Sequence, residues 1–267
     1  MSLVVGVWGP TKVGRTTFMT SAPGLAVAEF DVGGLERGSS TEQRETIKVT
    51  QFAKPYRIIT PGKHPHTDLE GYTEQWAAFV DWYWGKQGII YNSEVQTIGF
   101  DTATELYETR TNHELQQIQT KPSGSGRMML DSTEYGPSND DMKAICQLGR
   151  RKGKNLIWVF QEREVYKDAV INNKKESIKT DQMEHRGWSR MQYDMDIVLK
   201  FGLGPSSKPQ ATIEETGKGS TALRGRVIPE PTWAKLQALI DASAKLKSMS
   251  MELPDSNEEL IELAGAL

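Results

Sequence analysis

Nine residues near the start of the chain combine glycine, hydroxyl and cationic side chains at a spacing suited to holding phosphate. In order they are Gly9, Pro10, Thr11, Lys12, Val13, Gly14, Arg15, Thr16 and Thr17. The glycines let backbone N–H groups turn toward phosphate oxygens, and the Thr16 hydroxyl can bind Mg²⁺. A helix that begins at about Thr16 would point its positive end at the same anion. The segment is predicted to bind a nucleotide phosphate; the alternative is a glycine turn that precedes a helix by chance.

The spacing matches the Walker A pattern G-x-x-x-x-G-K-[ST] except at Arg15, where arginine replaces the lysine. Arginine keeps the charge but is bulkier and forked. It can therefore bind phosphate while misplacing the compact charge that follows the transferred phosphoryl group. The pattern predicts nucleotide binding rather than fast hydrolysis. Lys12 either supplies part of the missing lysine's role, reaches a neighbouring subunit's nucleotide, or is a solvated loop residue.

Carboxylates that could complete a Mg²⁺ site follow two predicted strands. Asp101 ends an apolar strand and is the expected partner of the Mg²⁺ hydration shell, although it could also cap the following helix. Asp31 ends another buried strand, at the carboxyl edge where α/β proteins bind ligands. Glu29 and Glu36 are nearby alternatives for the second acid.

Gln161 ends a further apolar strand and could hydrogen-bond the γ-phosphate or the attacking water, and so relay nucleotide occupancy to the next loop. The alternative is a polar strand end that faces solvent. The predicted catalytic set is therefore Arg15, Asp101, Gln161 and Glu36, with Thr16 and Asp101 on the metal.

Apolar runs typical of strands covered on both faces alternate with helical segments, which predicts a mostly parallel α/β sheet flanked by helices. The strands are expected at Leu3–Trp8, Leu25–Asp31, Ile47–Phe52, Val95–Asp101, Asn155–Gln161 and Met195–Phe201. The helices are expected at Glu74–Trp84, Thr104–Gln119, Asn139–Arg151 and Thr232–Lys247, with a β-hairpin of Ala211–Glu215 and Leu223–Ile228 near the end.

The chain has 267 residues, a formal charge of −3 and one cysteine, Cys146. This composition excludes a wholly basic nucleic-acid coat and, within one chain, a disulfide framework. No apolar run is long enough to span a bilayer, which favours a cytoplasmic protein. We expect one domain over residues 1–248 and an acidic tail over residues 249–267. The tail is predicted to contain a flexible joint at Pro254 followed by a short helix, and it could dock another replication or recombination protein.

In this order the motifs resemble the RecA-like phage ATPases, including Sak-type single-strand annealing and recombination proteins and phage AAA-family nucleotide-binding proteins. The resemblance covers roughly Leu3 to Leu239. It is carried by Lys12 and Arg15, Asp31-Val32-Gly33-Gly34, Asp101-Thr102, Tyr135-Gly136 before Asn139–Arg151, Gly153-Lys154-Asn155, and Gln161. It implies a RecA-like P-loop fold, ATP and Mg²⁺ as cofactors, ATPase activity, and assembly into a ring or filament.

Two departures from that family bear on hydrolysis. Its phage members carry lysine at the position of Arg15, and RecA proper carries a catalytic glutamate where this chain has Gly33. Glu36 and Glu162 are the candidate substitutes.

The resemblance also implies that two segments contact single-stranded DNA. The first runs from Lys121 to Arg127, with both end residues as contacts. The second is a loop from Lys167 to Arg190, and its predicted contacts are Lys167, Lys174, Lys175, Lys179 and Trp188, the last by stacking on bases together with Tyr166. The alternatives are a solvated insertion, diluted by acidic residues, and a Trp188 that anchors the core.

The expected function is therefore an ATP- and Mg²⁺-dependent ATPase that acts as an oligomer on single-stranded DNA in recombination or annealing. One alternative is a nucleotide-binding regulatory or assembly protein with little turnover. Another is a small-molecule kinase, which would need an arginine-bearing lid.

Overall fold

A computed structural model describes residues 2–31, 33–53, 55, 68–124, 126–171, 174–217 and 221–266. The strands are β1 Val4–Trp8, β2 Leu25–Glu29, β3 Lys48–Gln51, β4 Thr97–Asp101, β5 Asn155–Val159, β6 Glu162–Ile171, β7 Lys174–His185, β8 Ile197–Leu203, β9 Pro209–Thr216 and β10 Val227–Pro229. The α-helices are α1 Arg15–Thr20, α2 Gly34–Gly38, α3 Thr41–Thr46, α4 Leu69–Trp84, α5 Ala103–Gln119, α6 Gly136–Arg151, α7 Trp233–Ser248 and α8 Asn257–Ala266.

The strands form an eight-stranded sheet in the order β10-β9-β8-β1-β5-β4-β2-β3. From β8 to β3 the neighbouring strands are parallel, while β9 and β10 add two antiparallel strands at one edge. The predicted mostly parallel α/β sheet is confirmed, and so is the antiparallel pairing near the end of the chain.

Both faces of the sheet are buried because strand side chains alternate between two cores. On one face Val5 and Val7 of β1 pack with apolar residues of α1, α7 and α8. On the other face Val4 and Trp8 pack with residues of α4, α5 and α6. Cys146 of α6 is fully buried there as a free thiol. The central strands are thus fixed by a core on each side.

The segment between β5 and β8 differs from the prediction. It was expected to be a DNA-binding loop, but β6 and β7 pair as an antiparallel ribbon in a sheet of their own. Polar and charged residues dominate both strands, so no apolar run marks them as strands. Their backbone groups are satisfied by pairing with each other, which sequence periodicity does not report.

The C-terminal tail also differs from the prediction of a segment beyond a flexible joint. Leu260 of α8 is fully buried in the same core as α7. Arg226 donates hydrogen bonds to the carbonyl oxygens of Pro254 and Asp255, which fixes the connection that leads to α8. The tail is therefore packed against the sheet domain.

No helix in the described part of the chain is long and apolar enough to cross a membrane.

Candidate functional site

The loop between β1 and α1 has a backbone that strongly restricts its sequence. Gly9 has a φ of 140°, and a Cβ at that residue would lie 2.4 Å from the carbonyl oxygen of Phe201. Gly14 has a φ of 91° and immediately precedes α1. Lys12, at the exposed turn of the loop, is also left-handed, with a φ of 64°. The predicted glycines thus stand where only glycine fits without strain.

Thr16 and Asp101, the two predicted metal ligands, are in direct contact. The Thr16 hydroxyl donates a hydrogen bond of 3.0 Å to Oδ2 of Asp101. The sheet register places Asp101 in one row with Val159 of β5 and Val7 of β1, near the carboxyl ends of these strands. Parallel strands therefore bring the end of β4 beside the loop that follows β1.

Asp101 is almost fully buried, with 3% of its surface exposed. The pKa of its carboxyl is raised to about 6, mainly by burial, and the charges of Asp31 and Glu29 act in the same direction. The hydrogen bond from Thr16 and the positive charge of Arg15 act in the opposite direction. A cation placed beside this carboxylate would favour its ionised form.

The carboxylates of the second acid, Asp31, and of Asp101 both lie near Gly34. A Cβ at Gly34 would be 3.6 Å from Oδ2 of Asp101, 3.7 Å from Oδ2 of Asp31 and 3.8 Å from Oε1 of Glu29. Asp31 is half exposed and makes a 3.6 Å ion pair with Arg37. Among the described residues, no group of three or more His, Cys, Asp or Glu side chains is arranged to hold a metal ion by itself.

Glu29, an alternative acid, has a structural role here. Its buried carboxylate accepts hydrogen bonds of 2.9 Å from the backbone N–H of Leu35 and from Nε2 of Gln51. It thereby holds the start of α2 against the edge strand β3. Glu36, predicted as catalytic, lies exposed in the first turn of α2.

Helix α2 covers the Thr16 side of the site. The Thr17 hydroxyl donates to the carbonyl oxygen of Gly38 at 3.0 Å. A Cβ on Gly38 would lie only 2.6 Å from Cβ and Cγ2 of Thr16. The position of Thr16 therefore depends on a glycine at the end of α2, a residue that the sequence analysis did not single out.

The Arg15 side chain reaches from the start of α1 to the residue that follows β5. Its Nη1 donates a hydrogen bond to the carbonyl oxygen of Phe160, just beyond the end of β5. Burial lowers the pKa of the guanidinium from its ordinary value, and the nearby carboxylates of Asp101 and Glu162 oppose that shift. The cation of the loop is thus attached to the strand that precedes Gln161.

Gln161 stands at the junction between β5 and the β6–β7 ribbon. Its backbone N–H donates to the hydroxyl of Thr104 at 3.0 Å, and its carbonyl accepts from the N–H of Arg186 at 2.7 Å. Thr104 in turn donates to the carbonyl of Arg186 at 2.8 Å. Because β5 lies between β1 and β4, Gln161 leaves the sheet between the loop and Asp101.

Two of the predicted DNA-contacting cations, Arg127 and Lys179, are engaged by carboxylates. Arg127 makes a two-pronged contact of 2.6 Å with Glu134, and a further ion pair of 3.0 Å with Asp131. Lys179 of β7 pairs with Glu164 of β6 at 2.5 Å. A nucleic acid would have to displace these carboxylates in order to use either cation.

The remaining predicted cations are of two kinds. Lys121 and Lys167 are exposed, whereas the side chains of Lys174 and Lys175 lie outside the described part of the structure. Over residues 162–185 the sequence has five lysines and arginines against six aspartates and glutamates, so the ribbon is not a basic surface overall.

Trp188 is part of the core, which corrects the prediction that it stacks on bases. Only 2% of its surface is exposed. Its ring packs 5.0 Å from Trp158 and 5.6 Å from Phe160, and its Nε1 donates to Asp194 at 3.0 Å. A tryptophan in this position anchors the segment that follows the ribbon. Tyr166, by contrast, is half exposed on β6.

One cleft of about 980 Å³ is lined in part by the second predicted DNA segment, whereas none of the described residues of 121–127 lines it. The stretch before α6 contributes Ser132 and Tyr135, and the base of the ribbon contributes Arg163 and His185. Trp8, directly before the Gly9–Thr17 loop, lies at the floor of this cleft and donates its indole N–H to Glu214 at 2.8 Å. The cleft is therefore adjacent to the phosphate-binding candidate.

Comparison with protein-family models gives no match, and comparison with curated proteins gives none either.

Proposed function

We propose that this chain is a RecA-like P-loop ATPase of the phage type, which binds ATP with Mg²⁺ at the Gly9–Thr17 loop. One observation carries the proposal: Thr16 and Asp101 form a hydrogen-bonded pair beside a loop whose glycines have left-handed backbones. A hydroxyl and a carboxylate at this position are the protein groups that P-loop ATPases use around Mg²⁺.

The donor chemistry fits Mg²⁺. Magnesium prefers oxygen ligands, and in nucleotide sites one or two protein groups suffice because phosphates and water supply the rest. Thr16 and Asp101 would provide these oxygens, with Asp31 close enough to orient water. The Mg²⁺ ion would neutralise phosphate charge, while Gln161 would sense the attacking water or the γ-phosphate.

The partner in this proposal is single-stranded DNA, bound by an oligomer. Two features support it: His185 and Arg190 of the second expected DNA segment line a cleft, and Lys121 and Lys167 are exposed cations on the two segments. The ion pairs of Arg127 and Lys179 reduce the available positive charge. DNA binding would therefore be weak unless nucleotide or assembly rearranges these pairs.

A second candidate is a nucleotide-binding regulatory or assembly protein with little turnover. It is favoured by Arg15, whose Nη1 is engaged by the Phe160 carbonyl. Gly33 also leaves no carboxylate where RecA has its catalytic glutamate.

The test is calorimetric titration with ATP in Mg²⁺ and in excess chelator, followed by hydrolysis assays with and without single-stranded DNA. Mg²⁺-dependent binding with DNA-stimulated hydrolysis supports the ATPase. Binding without turnover supports the regulatory alternative, and absence of binding at millimolar ATP refutes both. Electron microscopy with an ATP analogue and DNA then distinguishes ring from filament.

A further inference from the structure

The Arg15 side chain connects the loop to the base of the β6–β7 ribbon. Its guanidinium donates to the carbonyl oxygen of Phe160, and the next residue, Gln161, begins the connection to β6. We propose that Arg15 is a positioning residue that holds the base of the ribbon, and that a phosphate bound in the loop competes with the Phe160 carbonyl for its guanidinium. This inference rests on the proposed function and names the regulation of that same site.

The competition follows from the strengths of the two acceptors. The guanidinium is ionised, so its hydrogen bond to the neutral Phe160 carbonyl is already charge-assisted. An ionised phosphate adds the attraction between opposite charges and can accept two parallel N–H bonds from arginine. Arg15 lies one residue before Thr16, within the loop proposed to hold the phosphate. Binding of nucleotide therefore draws the guanidinium from the carbonyl toward the phosphate.

The effect of releasing the Phe160 carbonyl would be transmitted to the ribbon through the hydrogen bonds of Gln161. Gln161 bonds both Thr104 and Arg186, so the two strands of the ribbon are tied at their base to α5. Among the strands that the structure describes, the ribbon pairs with none of the main sheet. Its orientation is thus set at this junction, and a change at Phe160 alters how firmly the ribbon is held.

The coupling must be reciprocal, because a phosphate that loosens the ribbon base implies that fixing the ribbon weakens phosphate binding by the same factor. Arginine is required for this role because its planar group carries several donors in a fixed geometry, whereas a lysine ammonium is a single point charge. Arg15, which stands in place of the usual lysine, therefore has a specific function in this proposal.

The experiment is hydrogen–deuterium exchange on the full chain, without ligand and with MgATP. In the wild type, MgATP should slow exchange in the 9–17 loop and accelerate it about two- to tenfold at residues 160–162 and 185–187, the range that loss of one net hydrogen bond produces. Without ligand, Arg15→Met should accelerate exchange at the ribbon base by a similar factor. In Arg15→Lys, at a MgATP concentration that protects the loop as much as in the wild type, exchange at the ribbon base should accelerate less than in the wild type.

Arg163→Gln is the matched control, since it removes the 2.7 Å ion pair of Arg163 with Glu184 inside the ribbon and leaves Arg15 in place. It should keep the response to MgATP. Unchanged exchange in ligand-free Arg15→Met overturns the inference whatever the nucleotide does. Loop protection without a ribbon response also overturns it but leaves the proposed function intact. A loop that MgATP does not protect refutes the proposed function and the competition, and leaves Arg15 a structural tether alone.

Discussion

The hydroxyl of Thr16 and the carboxylate of Asp101 are 3.0 Å apart although 85 positions separate them in the chain. Two strand ends bring them together: the loop after β1 leads into α1, which carries Thr16, and β4 ends in Asp101. Burial raises the pKa of Asp101, so this contact depends on pH, and the closeness of Gly38 to Thr16 makes it depend on the packing of α2 as well.

Replacing both Thr16 and Asp101 by alanine should abolish Mg²⁺-dependent nucleotide binding, because it removes both protein oxygens proposed for the metal. Calorimetry with ATP in Mg²⁺ is the measurement. Thr111→Ala, which removes a hydroxyl that donates to the carbonyl oxygen of Glu108 within α5, is the control for a general effect of losing threonine. Unchanged affinity in the double variant would remove the site assignment.

Asp101→Asn should stabilise the fold near neutral pH while it weakens Mg²⁺-dependent binding. The folded-state pKa of about 6 lies above the unfolded value of 3.8, so the contribution of Asp101 to stability is fully present below pH 3.8 and is lost as the pH rises through 6. The loss is on the order of 2–3 kcal/mol at pH 7. Asparagine can still accept the hydrogen bond from Thr16, but it carries no charge to bind the metal.

Urea unfolding of the wild type and Asp101→Asn at several pH values tests that sign. The difference in stability should open between about pH 4 and pH 6 and then stay constant. In the wild type, the Mg²⁺-dependent affinity should fall as the pH drops below about 6. A difference that grows toward acid pH instead would mean that Asp101 is stabilised as a carboxylate.

Gly38→Ala should disturb the proposed metal site from outside it, because the added Cβ would lie 2.6 Å from Cβ and Cγ2 of Thr16. Overpacking of this kind costs about 1–3 kcal/mol. Both the melting temperature and the affinity for MgATP should fall. Gly265→Ala is the control, since a Cβ there meets nothing within 4 Å. Equal behaviour of the two variants would show that α2 does not constrain Thr16.

Trp188→Ala should act on stability, with a loss of about 3–5 kcal/mol typical of removing a buried aromatic side chain. The ring is packed against Trp158 and Phe160, and its N–H bonds Asp194. Denaturant unfolding measures the loss. Tyr193→Ala, at a residue that is 79% exposed, should change little. A stable Trp188→Ala variant with selectively weakened DNA binding would restore the stacking role.

Replacing Lys174, Lys175 and Lys179 by alanine should weaken single-strand binding for all sequences alike and flatten its salt dependence. About 0.7 counterion is released for each neutralised phosphate on a single strand, so the slope should change by at most about 2. The ion pair of Lys179 with Glu164 reduces its share. Lys245→Ala in α7 is the control. No salt-sensitive binding by the wild type with ATP analogue would eliminate the DNA partner.

The sequence by itself determined most of the strands and longer helices and the residue types of the candidate site. Glycine spacing, the apolar strand before it and the acid at the end of β4 are local patterns, and local patterns report backbone conformation and burial. The sheet order, with β5 between β1 and β4, follows from no such pattern. It was decided by tertiary packing.

Only the tertiary structure decided which partner each side chain has. It bonds Thr16 to Asp101, attaches Arg15 to the Phe160 carbonyl, buries Trp188 and pairs Arg127 with Glu134. The first three bring together residues from different elements of the fold. The pair of Arg127 and Glu134 lies within one connection, whose composition had suggested free cations. Composition counts charges and aromatic rings, but their availability depends on burial and on which opposite charges the fold brings within hydrogen-bonding distance.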